Sequence, residues 1–124
     1  MAGTWSPGVE YRSGNLNNAY SRPIGVVKSF TADAADHTIP DVTVEDISGL
    51  LTGIDVEFDA DTPPNSLIVV IKSIGGITLV TGTALTASGR IPVSPPVDIC
   101  GGYKVSCSDN TTNGAKGSIV CLFR

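Results

Sequence analysis

The sequence predicts an all-β fold, a jelly-roll-like or Greek-key β-sandwich, and three observations favour it. Two β-branched runs within 67–80 are separated by Gly75-Gly76, a pair able to adopt the positive φ angles of a tight hairpin turn. Strand-like segments then recur at intervals of roughly 8 to 12 residues, the spacing typical of sandwiches and barrels. No segment is long enough for a helix beyond a single turn, so we expect about seven or eight strands in one domain.

Residues 1–24 differ from the rest, and we expect an extended N-terminal arm there, followed by a single domain over 25–124. Trp5, Tyr11 and Tyr20 lie among Gly, Ser, Asn and Pro without a period of 2 or 3.6 residues, so neither strand nor helix is predicted. A solvated leader is one interpretation. The other is an arm that orders on a partner, because interfaces favour large amphipathic side chains and solvated tails usually lack them.

Within the domain, 26–30 is predicted to be a strand, 37–39 a short second strand, and 44–51 at most one helical turn after Thr43. The alternation in 50–58 indicates a half-buried strand. Its predicted core face carries Leu50, Thr52, Ile54, Val56 and Phe58. Asp55 and Glu57 are predicted to lie on the opposite, exposed face.

A rigid loop with two prolines is expected over 59–66, since proline cannot donate to a strand ladder. The strand beginning at Leu67 is apolar on both faces, which predicts a central strand covered on each side, with a second subunit as one possible cover. Three prolines confine 91–97 to a sheet edge or an extended loop. Alternation over 103–108 and an apolar run at 118–123 predict a final hairpin.

The cysteines are Cys100, Cys107 and Cys121, and no pair has the two-residue spacing of a zinc or redox motif. Small buried thiols in a reducing compartment are the favoured interpretation. We expect Cys107 and Cys121 on neighbouring strands of the last hairpin, which leaves a disulfide between them possible.

Charge is strongly segregated along the chain. Residues 33–61 carry nine acids and no lysine or arginine, although the formal net charge is only −4. The cations elsewhere are scattered, which argues against direct nucleic-acid binding. A solvated face explains the acidic block; complementary contact with the cationic ends of a neighbouring subunit is the alternative. No apolar run approaches the length of a membrane span, and no secretion signal is evident, so synthesis in the cytosol is expected.

Catalytic chemistry has little support in the sequence. The one histidine, His37, lacks the motif context of a nucleophile and base, and paired carboxylates alone do not define a glycosidase cleft. Glu57, Asp59, Asp61 and Thr62 could bind Ca²⁺, but their spacing departs from the helix-loop-helix pattern. We therefore predict a protein that is not an enzyme, with no cofactor and no metal site.

The order of features from Val27 to Phe123 resembles small virion proteins of tailed bacteriophages. The similarity lies in Phe30-Thr31-Ala32-Asp33, His37-Thr38-Ile39-Pro40, Pro63-Pro64-Asn65 before a strand, the Gly-Gly turn, and the closing Val120-Cys121-Leu122-Phe123. Such proteins are compact β-sandwiches that decorate or cement the capsid, or serve as neck and tail accessories. The resemblance implies a structural role in a virion and brings no catalytic residues with it.

The expected function is to bind the major capsid protein or other virion subunits, as a homo-oligomer for which a trimer is favoured. The protein would be made in the host bacterial cytoplasm and incorporated into the particle. Predicted contact residues are the arm side chains Trp5, Tyr11, Arg12, Tyr20 and Arg22, and the acidic receiving face Asp55, Glu57, Asp59 and Asp61. A neck or tail accessory, or a module that binds host-surface carbohydrate, remains the alternative.

Overall fold

The structure, a computed structural model, describes residues 3–6, 9–12 and 24–124. Within these residues there are ten strands and no helix. The strands are β1 (Thr4–Trp5), β2 (Val9–Arg12), β3 (Ile24–Thr31), β4 (Val42–Glu45), β5 (Gly49–Phe58), β6 (Ile68–Ser73), β7 (Thr78–Thr81), β8 (Gly89–Ile99), β9 (Gly102–Ser108) and β10 (Lys116–Phe123).

The strands form two antiparallel sheets. A six-stranded sheet has the order β1-β3-β10-β5-β8, with β2 also on β3, and a four-stranded sheet has the order β4-β9-β6-β7. The pairs β3/β10, β4/β9, β5/β8 and β6/β7 are nested, so the chain from β3 to β10 is one long hairpin rolled across two sheets. Eight strands in this arrangement make a jelly roll, which confirms the predicted fold class.

The β6–β7 hairpin is the tip of that roll, and β6 is an interior strand between β7 and β9, as predicted. Its turn is longer than the expected two residues. The Ser73 amide donates to the carbonyl of Ile77 (2.8 Å), and the Gly76 amide donates to the carbonyl of Ser73 (2.9 Å). Gly76 takes the positive φ of 95° that this loop requires, so the Gly-Gly pair does mark the hairpin.

The predicted core face of β5 is correct from Ile54 onward and wrong at its start. Leu51 is fully buried, whereas Leu50 is 42% exposed. Pairing to β10 runs from Gly53 directly to Leu51, so Thr52 is an extra residue that bulges out of the ladder. A bulge reverses the facing of every residue beyond it, and simple alternation therefore fails there.

The core between the sheets is built from the inward residues of both. Its largest fully buried members are Tyr103, Phe30, Phe123, Leu51, Ile54, Leu67 and Ile71. The rings of Tyr103 and Phe123 lie 5.5 Å apart, one from each sheet. The alternations predicted for 103–108 and 118–123 are confirmed, with Val105 and Ile119 buried.

Those two segments do not form a hairpin, which corrects the expectation for the cysteines. β9 belongs to the four-stranded sheet and β10 to the six-stranded sheet, so Cys107 and Cys121 face the core from opposite layers. All three cysteines are free thiols, and Cys100 is exposed instead of buried. From β3 to β10 the chain crosses between the two sheets at every connection except the β6–β7 hairpin, and local patterning carries no information about that crossing.

Two further local predictions are wrong. Residues 37–39 lie in the β3–β4 connection, with His37 at a positive φ of 58°, and 44–51 contains the end of β4 and the start of β5, with no helical turn. By contrast, the proline-rich 91–97 is part of β8, which is an edge strand as predicted. Proline has no backbone N–H, and an edge strand tolerates it at positions where that group would point to solvent and not to the neighbouring strand.

The arm also contains strands, which the sequence did not predict. β10 occupies one side of β3 along its whole length, so β1 and β2 both pair along the other side. Trp5 lies 5.5 Å from the ring of Phe30, edge to face, and its indole Nε1 donates to the carbonyl of Pro40 at 2.6 Å. Trp5 thus packs at the edge of the core, between Phe30 of β3 and the connection that leads from β3 to β4.

We expect Trp5→Ala to lower the free energy of unfolding by about 2 kcal/mol, since a half-buried indole loses both packing and a hydrogen bond. Trp5→Phe should lose only about half of that, because it keeps the contact with Phe30 but not the donor. Urea unfolding followed by circular dichroism measures both variants. Equal stability of Trp5→Ala and the wild type would contradict the assignment of Trp5 as part of the core.

Candidate functional site

Of the predicted arm contacts, the structure places only Trp5 in detail, and it packs against the chain's own domain. Tyr11 and Arg12 lie in β2, with their backbone paired to Gly25 and Ile24. Tyr20 and Arg22 fall outside the described residues. The contact of the arm with a neighbouring subunit therefore stays a prediction, now centred on residues beyond Trp5.

Of the four carboxylates in the predicted receiving face, those of Asp55 and Asp59 accept hydrogen bonds within the chain, whereas those of Glu57 and Asp61 make no ion pair among the described residues. Asp55 accepts two hydrogen bonds from Arg90, from Nε at 2.5 Å and from Nη2 at 3.0 Å, and this bidentate pairing raises the pKa of Arg90. Asp55 and Glu57 both point outward from the six-stranded sheet, as the alternation predicts. Glu57 and Asp61 are exposed and make no ion pair among the described residues.

Asp59 organises its own loop. One carboxylate oxygen accepts from the amides of Asp61 and Thr62, both at 3.0 Å, and from the Thr62 hydroxyl at 3.2 Å. These donors, with Thr62 the largest contributor, lower the pKa of Asp59. No group of three His, Cys, Asp or Glu side chains in the described part of the chain is placed to hold a metal ion.

His37 lines a surface cavity of about 280 Å³ with Cys107, Asp109 and Asn110. The buried Asn110 side chain donates to the carbonyls of His37 (3.1 Å) and Thr112 (3.0 Å), and so ties two loops together. The Asp109 carboxylate accepts from the Ser66 hydroxyl at 2.6 Å. These polar groups hold the loops together, and the hydrogen bonds of His37 given by the structure are made by its backbone.

The two ends of the sandwich differ in chemistry. We define the acidic end by the connections 32–41, 59–67, 82–88 and 109–115, and the hairpin end by 46–48, 74–77 and 100–101. Loops at the acidic end are joined by side-chain hydrogen bonds, such as Asn65 with Thr111. Its carboxylates are those of Asp33, Asp36, Asp41, Asp59, Asp61 and Asp109.

The hairpin end carries exposed apolar side chains. The large hydrophobic residues exposed in the described structure are Leu50 (42%), Ile74 (42%) and Ile77 (70%), and all three lie at this end. The connections there are bonded together, since the Asp46 amide donates to Gly101 and the Gly101 amide donates to the Ser48 hydroxyl. The sequence signal for this surface is the Ile-Gly-Gly-Ile turn at 74–77, because isoleucines in an exposed turn lie too far from the core to be buried in it.

Comparison with known proteins gives no family. No protein-family model matches the chain, and neither does any curated protein. A solved structure of exo-β-1,3-galactanase from Phanerochaete chrysosporium with galactose is similar over 99% of this chain, at 12% identity and a TM-score of 0.37. The chain spans less than a third of that protein's length, since it covers 30% of it. A similarity at this TM-score carries no argument about function, and the fold assignment rests on strand order.

Among the described residues, no helix has the length and apolar character needed to cross a membrane.

Proposed function

We propose that the protein is a structural subunit of a tailed-bacteriophage virion that decorates or cements the capsid by bridging neighbouring capsid subunits. It acts by binding and not by turning over a substrate. Its partners are the major capsid protein or other virion subunits, and it works as a homo-oligomer, with a trimer favoured. It is made in the host bacterial cytoplasm, where a reducing environment suits three free thiols.

The observation that carries the proposal is the concentration of exposed apolar side chains at the hairpin end. Monomeric soluble proteins rarely gather such residues without a binding role. Ile74 and Ile77 flank the turn between β6 and β7, and Leu50 is the second residue of β5, which begins at the same end of the roll. A subunit that bridges neighbours needs at least two different surfaces, and the acidic end, together with the arm residues Tyr11, Arg12, Tyr20 and Arg22, supplies the second.

Binding through several modest contacts suits a shell under internal pressure. When one molecule touches several neighbouring subunits, each further contact forms at high effective concentration, so modest affinities combine into strong retention. Expansion of the shell must then break many contacts together. The small, hydrogen-bonded loops of the sandwich ends give a rigid frame for such contacts.

The test is co-sedimentation with capsids of the encoding virus that lack this protein. We expect Ile77→Ser to weaken binding about tenfold, because a 70% exposed isoleucine can be buried by a partner and contributes roughly 1.5 kcal/mol or more when it is. Ser94→Ala, an exposed change midway along β8 and away from both ends of the sandwich, is the control and should bind as the wild type does. Because Ile77 contacts solvent, the folded stability of the variant should not change.

Unchanged capsid binding by Ile77→Ser would contradict docking through the hairpin end. Electron microscopy of the assembled particle separates capsid decoration from a neck or tail position. Failure to bind any particle, together with glycan-induced shifts of exposed aromatic resonances, would favour the carbohydrate-binding alternative.

A further inference from the structure

Two lysines lie directly opposite each other on the outer face of the four-stranded sheet. Lys72 on β6 is the register partner of Lys104 on β9. Both alternate with buried residues, Ile71 and Val105 among them, so both point away from the core. Like charges at directly opposed positions destabilise a sheet, so this placement works against the stability of the isolated chain.

Among the described residues, neither lysine makes an ion pair. Thr43 and Thr78 continue the same cross-strand row on either side of the lysines. The nearest acid by register is Glu45 on β4, and it makes no ion pair with either lysine. Between this row and the acidic end, the outward residues of β6 and β9 carry no charge: they are Ile68, Val70, Ser106 and Ser108.

Two carboxylates without an ion pair among the described residues lie on the opposite side of the molecule from the lysines. Glu57 points outward from the six-stranded sheet, and Asp61 is in the loop that follows β5 at the acidic end. Both are exposed and make no ion pair among the described residues. Because the outer faces of the two sheets point in opposite directions, with the core between them, these carboxylates and the lysines of the same chain cannot meet.

We propose that copies of this chain associate through these two surfaces, with Lys72 and Lys104 of one copy against Glu57 and Asp61 of the next. The contact joins different surfaces on the two copies and is therefore heterologous. A heterologous contact closes into a ring, such as a trimer, when its rotation permits. This inference concerns contacts between copies and is independent of docking through the hairpin end.

The test is sedimentation velocity of the full chain at low and high salt. The wild type should associate at low salt and dissociate as salt rises, because screening weakens contacts between exposed charges. The double reversals Lys72→Glu/Lys104→Glu and Glu57→Lys/Asp61→Lys should each weaken association about a hundredfold, since each sets like charges against each other. Combining all four substitutions should restore association. Asp98→Lys and Arg124→Glu, exposed changes near the hairpin end, are the controls and should leave association unchanged.

Lys72→Glu alone separates assembly from folding. It places a carboxylate directly opposite Lys104, so the isolated domain should become more stable to urea while association weakens. A merely structural role for Lys72 would move both readouts in the same direction. A wild type that stays monomeric at low salt, a Lys72→Glu/Lys104→Glu variant that still assembles, or a folded fourfold variant that fails to assemble would each overturn the proposal.

Discussion

Gly117→Ala will lower the free energy of unfolding by about 3 kcal/mol, whereas the same substitution at Gly53 will leave it unchanged or raise it slightly. Both glycines are in the six-stranded sheet, on the adjacent strands β10 and β5. A Cβ at Gly117 would stand 2.7 Å from the carbonyl oxygen of Glu57 and 2.8 Å from the ring of Phe30. One at Gly53 meets nothing closer than 3.7 Å.

The two substitutions differ in their expected effect because a side chain at Gly117 would meet the ring of Phe30, whereas one at Gly53 would have room. The ring of Phe30 occupies the space that a side chain at Gly117 would need, and Trp5 packs on that same ring. The neighbouring carbonyl belongs to the backbone of β5 and cannot move without breaking the ladder. A methyl group there must displace the ring, which then disturbs the attachment of β1.

Urea unfolding of the two variants measures the effect, and a double-mutant cycle identifies its cause. Phe30→Leu removes the colliding ring, so its cost in the Gly117→Ala background should be clearly smaller than its cost in the wild type. Additive effects of the two substitutions, or equal stability of Gly117→Ala and Gly53→Ala, would show that the ring is not what excludes a side chain at Gly117.

The two arm strands were not predicted from the sequence, because they are short and because a long-range contact, that of Trp5 with Phe30, holds the first of them in place. β1 has only two residues and β2 only four, too few for a period of 2 to stand out among glycines and prolines. Their pairing is determined by the free side of β3, a tertiary feature. The aromatic residues Trp5, Tyr11 and Tyr20 were the signal for burial in the arm, and the interface interpretation fitted them equally well.

Elsewhere, what could be predicted was local and what could not was long-range. The Ile-Gly-Gly-Ile hairpin, the proline-rich edge strand and the alternation of β9 each depend on neighbours in sequence, and the structure contains all three. The Thr52 bulge depends on β10, some seventy positions away, and reverses Leu50 and Leu51. The opposition of Lys72 and Lys104 likewise depends on the register of two distant strands.

The candidate site follows the same division. Outward-facing Asp55 and Glu57 were predictable from alternation, but the engagement of Asp55 by Arg90 was not, because it requires β8 to lie beside β5. The exposure of Ile74 and Ile77 has a signal in the sequence of their turn, but the exposure of Leu50 at the same end could not be predicted, because it depends on the Thr52 bulge in the pairing of β5 with β10. The sequence indicates residue types for binding, and the topology decides which of them are available.

The protein will lose stability steeply above about pH 9, because two core thiols resist ionisation. Burial raises the pKa of Cys107 to about 12, helped by Asp41, and burial raises the pKa of Cys121 to about 12 from the ordinary value of 9.0. The unfolded chain releases these protons near pH 9, whereas the folded chain holds them. Stability is therefore full below pH 9 and falls as pH rises toward the folded pKa values.

The expected slope is about 1.4 kcal/mol per pH unit for each thiol, or roughly 2.7 kcal/mol per unit for both. Because the net stability of a small domain is only about 5–15 kcal/mol, a loss of this slope over one or two pH units is large enough to measure. Burial, together with the neighbouring Cys121 thiol, also raises the pKa of Tyr103, so this residue adds to the loss at the alkaline end of the window.

Urea midpoints measured between pH 8 and 11 under reducing conditions give the slope directly. Cys100→Ala is the matched control: Cys100 is exposed, so its removal should leave the slope unchanged. The double variant Cys107→Ala/Cys121→Ala should be less stable at pH 8, because it leaves cavities, yet should lose little further stability between pH 9 and 10. A double variant with the wild-type slope would mean that other groups drive the alkaline loss, whereas a flattened slope ties it to two thiols held between the sheets of the roll.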